Sequence, residues 1–313
     1  MEPEGGREMT GPGGARVLGP VLDGLRALGV PPGDLLIVHS SFKALGLPDA
    51  SPADVVATLI ECLGPDGTLM MPSFTYSFAG IWNAEPFDIE ISPSWRMGVL
   101  PETLRTWPGA LRSAHPAFSV VAKGPLAREI TSGRDNASGL GAGSAYDAAH
   151  ALGARILLLG VTSARNSMIH FAEAASGLPC NDIHFREFWG REALVWREGE
   201  VVEMPITGDL PGCSANYGIV DGFLLERGLE KTGLVASAPS ILMDAREMVS
   251  AVVARLAHQP DWLFCDCLLY TSDAADDLLC VELGGRRIIN TKKTTTITIS
   301  NNFCNCHKIN NTT

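Results

Sequence analysis

The sequence predicts an α/β fold: a central sheet, mostly parallel or mixed, flanked by helices, with a smaller antiparallel β insertion in the C-terminal half. Three observations carry this. Short apolar runs recur at Leu35–Val38, Thr68–Met71, Phe118–Ala122 and Arg155–Leu159, and read as strands buried on both faces. Segments with apolar residues at helical spacing lie between them, as helices covering a sheet require. Past about residue 190 the pattern becomes two β-prone runs around Arg197-Glu198-Gly199-Glu200, the mark of a hairpin.

The elements follow in order. Residues 1–14 are polar and Gly-rich and lack a basic segment leading into an apolar one, so they read as a flexible lead rather than a signal peptide. Val17, Leu18, Val21, Leu22, Leu25 and Leu28 recur at helical spacing, and Gly29 with Pro31-Pro32 ends that helix. The Leu35–Val38 strand runs into His39-Ser40-Ser41. Ser51 is placed to cap a helix with Pro52 at its first position, and Val55, Val56, Leu59, Ile60 and Leu63 form its apolar face. Pro65-Asp66-Gly67 is a turn into the Thr68–Met71 strand, which ends in Pro72-Ser73-Phe74-Thr75-Tyr76.

A long loop rich in Pro, Trp and Phe then runs to about Ser94, and such loops in compact domains tend to be functional. Gly98–Thr106 reads as a helix, Arg112–Pro116 as irregular and Phe118–Ala122 as a strand. Thr131–Ser144 is a Gly/Ser loop, Tyr146–Leu152 a helix, Arg155–Leu159 a strand ending at Gly160, and Asn166–Ala175 a helix. Beyond lie strands at Ile183–Phe188, Leu194–Arg197 and Val201–Ile206, a helix at Ile219–Glu226, a strand at Leu234–Ala238 and a helix from Asp244 to Ala257. The antiparallel insertion, about residues 180–212, is expected to pack beside the main sheet and form part of a substrate pocket. Residues 15–264 make one domain.

After Phe264 the texture changes. The stretch Leu268 to Ile289 leads into a Thr/Asn/Ile-rich end. It resembles translated sequencing-adapter DNA, so residues 265–313 are expected to be a non-native tail, disordered or poorly packed. Cys265, Cys267, Cys280, Cys304 and Cys306 all lie there. Their one-residue spacings are shorter than most structural zinc pairs use, so no metal is expected. Cys62, Cys180 and Cys213 are scattered through the body and fit buried thiols in a reducing compartment.

Composition narrows the function. Hydrophobic residues make up 46% of the 313, enough for a large core, yet no apolar run is long enough for a membrane span. A cytoplasmic location is expected. The net charge of -11 and the lack of a Lys/Arg run argue against nucleic acid and favour small cationic partners. Walker, dinucleotide-binding, nucleophile-elbow and zincin motifs are absent from the sequence, which removes support for ATP, NAD, ordinary α/β-hydrolase and zinc-protease chemistry.

Functional groups in open α/β sheets gather beyond the carboxyl ends of the strands. There the chain carries His39-Ser40-Ser41, Ser73-Phe74-Thr75 and Thr162-Ser163. A fourth group is His170-x-x-Glu173, whose spacing puts both side chains on one helix face. A carboxylate beside an imidazole orients it and raises its basicity, which suits a general base.

Five blocks in order resemble the aminoglycoside 3-N-acetyltransferase family. They are Val38-His39-Ser40-Ser41-Phe42 with Gly46; Gly64-Pro65-Asp66-Gly67-Thr68-Leu69 with Met71-Pro72-Ser73-Phe74-Thr75; Arg112-Ser113-Ala114-His115-Pro116 with Ser119; Leu157–Val161; and Asn166-Ser167 with His170-Phe171-Ala172-Glu173. The resemblance covers about residues 17–257. Ser167 stands where many relatives have Thr, a change that keeps the hydroxyl.

The resemblance implies an α/β fold distinct from the GCN5-related acetyltransferases, and transfer of acetyl from acetyl-CoA to the 3-amino group of a 2-deoxystreptamine antibiotic, giving resistance. In that reading His170 is the base, assisted by Glu173; Thr75 is the oxyanion donor; and His39 orients groups or relays a proton. Ser40, Ser41, Phe42, Arg112, Ser113, His115 and Ser119 contact CoA. Glu85, Asp88, Asp182, Glu187 and Asp209 are the candidate carboxylates for a polycationic substrate. A monomer or homodimer is expected. The competing readings are an acetyltransferase of this fold acting on another amine, a serine hydrolase using Ser40 or Ser73, and a non-catalytic binding protein.

Overall fold

The computed structural model describes residues 14–75, 85–94, 96–135, 138–177, 192–206 and 214–264, with backbone ladders at 289–291 and 294–296. Strand β1 (Leu35–Ser40) is the centre of the main sheet. It pairs in parallel with β2 (Thr68–Pro72), through Leu35 opposite Thr68, and with β5 (Arg155–Leu159), through Ile37 opposite Ile156. Leu36, Ile37 and Val38 are fully buried, which is why this strand is apolar on both faces.

Antiparallel strands extend the sheet on either side. β4 (Val120–Lys123) pairs with β2, and β3 (Leu111–Arg112) with β4. On the other flank β9 (Ala238–Asp244) pairs with β5, and β8 (Glu230–Val235) closes the edge. The order is β3-β4-β2-β1-β5-β9-β8, so the sheet is mixed, as expected, with its parallel part confined to the three central strands.

Alternation along the strands sends side chains into two cores. Leu36, Val38, Leu69, Met71, Leu157 and Leu159 meet helices α1 (Gly19–Leu28), α2 (Pro52–Leu63) and α3 (Val99–Arg105). Ile37, Met70, Ile156, Leu158 and Met243 meet the helices of the opposite layer. These are α4 (Ala127–Thr131), α5 (Ala145–Ala151), α6 (Met168–Ala175), α7 (Ile219–Leu225) and α8 (Ala245–His258). The start of α2 is fixed as its sequence requires: Ser51 Oγ accepts from the Asp54 amide at 3.1 Å, and Asp54 Oδ2 accepts from the Ser51 amide at 2.8 Å.

The hairpin of β6 (Ala193–Arg197) and β7 (Glu200–Met204) forms its own two-stranded sheet. Ala193, Val195 and Met204 turn into the second core, which docks the hairpin on that face. Phe87, from the long loop, is stitched to it: the Phe87 amide donates to Leu194 O, and Trp196 N donates to Phe87 O, each at 2.8 Å.

Several elements differ from expectation. The run Leu234–Ala238 is not one strand but the tip of a hairpin: β8 ends at Val235, Ala236 takes φ 51°, and β9 opens at Ala238. Both strands belong to the main sheet. The irregular stretch at Arg112 begins with a short edge strand, and the helix Ala127–Thr131 precedes the Gly/Ser loop. The strand expected at Ile183–Phe188 lies outside the described residues. So does the tail, apart from Ile289–Thr291 paired antiparallel with Thr294–Thr296.

Candidate active site

The carboxyl ends of β1, β2 and β5 open towards one end of the sheet. The Ser41 amide donates to Leu159 O at 2.8 Å, carrying the β1–β5 ladder one residue past the strand. Gly160 then turns away at φ 68°, where an added Cβ would sit 2.4 Å from Ala44 Cβ. Only glycine lets the chain leave β5 this close to the His39-Ser40-Ser41 segment. The following turn is held by Asp221 of α7, whose two oxygens accept from the Ser163 amide at 3.0 and 3.2 Å. Asn166 Oδ1 accepts from Met168 N at 3.1 Å and so starts α6.

On α6 the two residues singled out by spacing do meet. His170 Nδ1 lies 3.4 Å from Glu173 Oε2. A third side chain joins them: the Tyr217 hydroxyl lies 2.5 Å from His170 Nδ1 and donates to Glu173 Oε2. The His170 and Tyr217 rings are 4.8 Å apart and inclined at 61°. Tyr217 is fully buried and the Glu173 side chain is nearly so, while the His170 side chain keeps 12% of its surface exposed. The group is a buried acid–phenol–imidazole cluster, with the imidazole its most exposed member. Tyr217 carries no sequence signal: it is 44 residues from Glu173 and reaches it only through the fold.

His39 alternates with Val38 and Ser40 along β1, which puts it on the face covered by α5, α6 and α8. It is buried, and its Nε2 is among the described buried atoms without a hydrogen-bond partner. Burial holds its imidazole well below the ordinary histidine range, at about 4. Ser40, Ser41 and Phe42 are half-buried at the strand end.

The remaining expected residues form a second cluster. Arg112 donates through Nε to Ser119 Oγ at 3.1 Å, through one terminal nitrogen to Ser73 O at 2.8 Å and through the other to Ser92 O. Its guanidinium also lies 5.1 Å from the Phe87 ring centre, and burial lowers its pKa to about 10. Ser119 Oγ in turn donates to Ser73 O, and Ser113 Oγ accepts from Val120 N at 2.9 Å. His115 Nδ1 accepts from the amides of Ala117 and Phe118 at 3.1 and 3.0 Å, which assigns its proton to Nε2. Arg112, Ser113, His115 and Ser119, expected as CoA contacts, thus direct these atoms into the fold, where Arg112 and Ser119 meet backbone carbonyls and Ser113 and His115 meet backbone amides.

Thr75 is likewise buried, its amide donating to Ala117 O at 3.0 Å. Of the substrate carboxylates, Glu85 is exposed. Asp88 caps a turn, accepting from the amides of Glu90 and Ile91 at 2.8 and 3.3 Å. Asp182, Glu187 and Asp209 lie outside the described residues. Among the described residues, no three His, Cys, Asp or Glu side chains converge as metal ligands, and no helix is long and apolar enough to cross a membrane.

A family model described as aminoglycoside 3-N-acetyltransferase matches residues 37–257, from β1 into α8. The chain belongs to this family. Within the family it is 32% identical over 249 residues to aminoglycoside N(3)-acetyltransferase IV of Salmonella sp, covering 79% of this chain and 88% of that one. It is 30% identical over 266 residues to aminoglycoside N(3)-acetyltransferase VIII of Streptomyces fradiae, covering 76% and 90%.

Solved structures of family members superpose on it. A mutant of aminoglycoside acetyltransferase AAC(3)-IVa in complex with a gentamicin matches with a TM-score of 0.68 at 30% identity, over 78% of this chain and 89% of that one. A binary complex of AAC-IIIb with CoASH matches at 0.65 and 28%, over 76% and 95%. Family members are acyltransferases, and the matched region contains His39, His170, Glu173 and Tyr217.

Proposed function

We propose that this enzyme transfers the acetyl group of acetyl-CoA to the 3-amino group of a 2-deoxystreptamine aminoglycoside. Relatives about 30% identical are named for that reaction, and fold neighbours are named as complexes with CoASH and with a gentamicin. The observation that carries the reading is the meeting of His170 and Glu173, both on α6, with the Tyr217 hydroxyl from just ahead of α7. An ammonium cannot attack a thioester, so the acceptor first releases one proton to solvent to become the free amine, and the attacking nitrogen then loses a second to a base held in place. His170 is that base. It takes that second proton as the nitrogen attacks the thioester carbon, and Glu173 stabilises the imidazolium. The carbon–sulfur bond then breaks, and the proton held by His170 can return to the leaving thiolate.

Thr75 is assigned to the developing oxyanion. Ser40, Ser41 and Phe42 are assigned to the pantetheine arm. His39, held neutral, serves as a hydrogen-bonding group and not as a charge. Arg112, Ser113, His115 and Ser119 act on CoA indirectly, by shaping the wall between β2 and the long loop. Glu85, Asp88, Asp182, Glu187 and Asp209 remain the carboxylates proposed for the cationic acceptor. Residues 15–264 are assigned as the catalytic unit.

Thiol release from acetyl-CoA tests the reading. Release that depends on kanamycin-, gentamicin- or apramycin-like amines is expected, and His170→Ala should slow turnover about 100-fold or more. Release only with other amines would move the acceptor class. Near-normal turnover in the variant would remove His170 from the base role.

A further inference from the structure

We propose that Tyr217 is a positioning residue that sets the tautomer of His170 and transmits the charge of Glu173 to it. The inference rests on His170 being the base, and its geometry is independent of which amine is acetylated.

The proton count is decisive. The phenol has one proton, and an ionised carboxylate can only accept. The Tyr217 hydroxyl donates to Glu173 Oε2, so its oxygen faces His170 Nδ1, 2.5 Å away, as an acceptor. Nδ1 therefore carries the imidazole proton, and Nε2 is left with the lone pair that a base needs. When Nε2 gains a proton, the positive charge on the ring is met by Glu173 twice: directly across 3.4 Å, and through the phenol. Hydrogen bonds among buried groups strengthen one another, and here the phenol is fully buried.

The chain around Tyr217 is built to hold it. One residue before it, Asn216 Nδ2 donates to Phe264 O at 3.1 Å and to Trp262 O at 3.5 Å. Four residues after it, Asp221 grips the Ser163 amide ahead of α6. The segment carrying the phenol is thus fastened on one side to the end of the domain and on the other to the turn that leads to His170. The phenol keeps its register with the imidazole because the segment that carries it is tied, through Asp221, to the turn that leads into α6.

The test is a long-range proton–nitrogen correlation spectrum of the whole chain with ¹⁵N-histidine, the His170 signals assigned through His170→Asn. The wild type should show the Nδ1–H tautomer at neutral pH. In Tyr217→Phe, the Nε2–H form should gain population and the acid-limb pKa of kcat/KM should fall, because a hydrogen bond that favours the charged form is gone. The kcat should drop at least about tenfold, with KM for both substrates little changed. A wild-type spectrum showing Nε2–H overturns the proposal, and that reading needs no variant to fold. An unchanged tautomer and unchanged acid limb in Tyr217→Phe also overturn it. If His170→Ala keeps its turnover, the base assignment falls instead, while the spectra still decide what Tyr217 does.

Discussion

Burial keeps the His39 imidazole neutral at the end of β1, and this has a cost that depends on pH. Its folded pKa, about 4, lies below the ordinary 6.5. Between those values the unfolded chain binds a proton that the folded chain refuses. Stability from this group is therefore complete above pH 6.5 and is lost as pH falls towards 4, by about 3 kcal/mol at most. Glu230 works in the opposite direction, since burial raises its carboxyl to about 7. A comparison of variants isolates the histidine: the urea midpoint of His39→Gln should fall less between pH 7 and pH 4.5 than that of the wild type. Equal falls would show that His39 does not titrate as its burial requires. The same scale shows what sequence can reveal about a site. His170 and Glu173 were legible because helical spacing alone brings them to one face. Tyr217 was not, because nothing local links it to them. Arg112 looked like a CoA contact because sequence shows a cation near a candidate site, and not the carbonyls of Ser73 and Ser92 that receive it.

Among the elements, the two-sided burial of β1, β2 and β5 made them readable as plain apolar runs. β8 was missed because an edge strand needs few apolar residues: Glu230 and Val235 at its ends are buried while the four between them are exposed. Its turn fell inside Leu234–Ala238 because Ala236 adopts a conformation that alanine does not advertise. The contact between α1 and this strand gives a prediction whose sign is informative. Gly24 lies mid-helix, where alanine ordinarily stabilises by about 1 kcal/mol. A Cβ there would lie 2.7 Å from Val235 Cα and 2.8 Å from Leu234 O, both backbone atoms that cannot swing aside. Gly24→Ala should therefore destabilise by about 1 to 3 kcal/mol, the usual cost of overpacking, seen as a lower thermal midpoint. A higher midpoint would mean that the helix can slide on the strand.

For the whole molecule, the question is where the working unit ends. The family match stops at residue 257, within α8, but contacts continue beyond it. Leu263 is buried, Trp262 packs on Phe223 with ring centres 4.7 Å apart, and Asn216 needs the carbonyls of Trp262 and Phe264. A chain ending at Phe264 should keep the activity and thermal midpoint of the full chain. One ending at His258 should lose both in part, since Asn216 would be released next to Tyr217. Equal behaviour of the two truncations in thiol release and thermal unfolding would sink this boundary. The change of composition after Phe264 was visible in the sequence; the latch on Asn216 was not, because it joins residues 48 apart.

The strand order also governs how the chain must come into being. β1 stands between β2, which follows within about 30 residues, and β5, which follows more than 100 residues later. A ribosome delivers residues at roughly 5 to 20 per second, so one flank of β1 waits several seconds for its partner, with Leu36, Ile37 and Val38 not yet covered on that side. Pairings this distant are slow to close. An unpaired apolar strand in the meantime is a site for association with other nascent chains. The feature that puts His39 at the heart of the sheet therefore leaves one flank of that strand open to association until the second half of the chain has emerged.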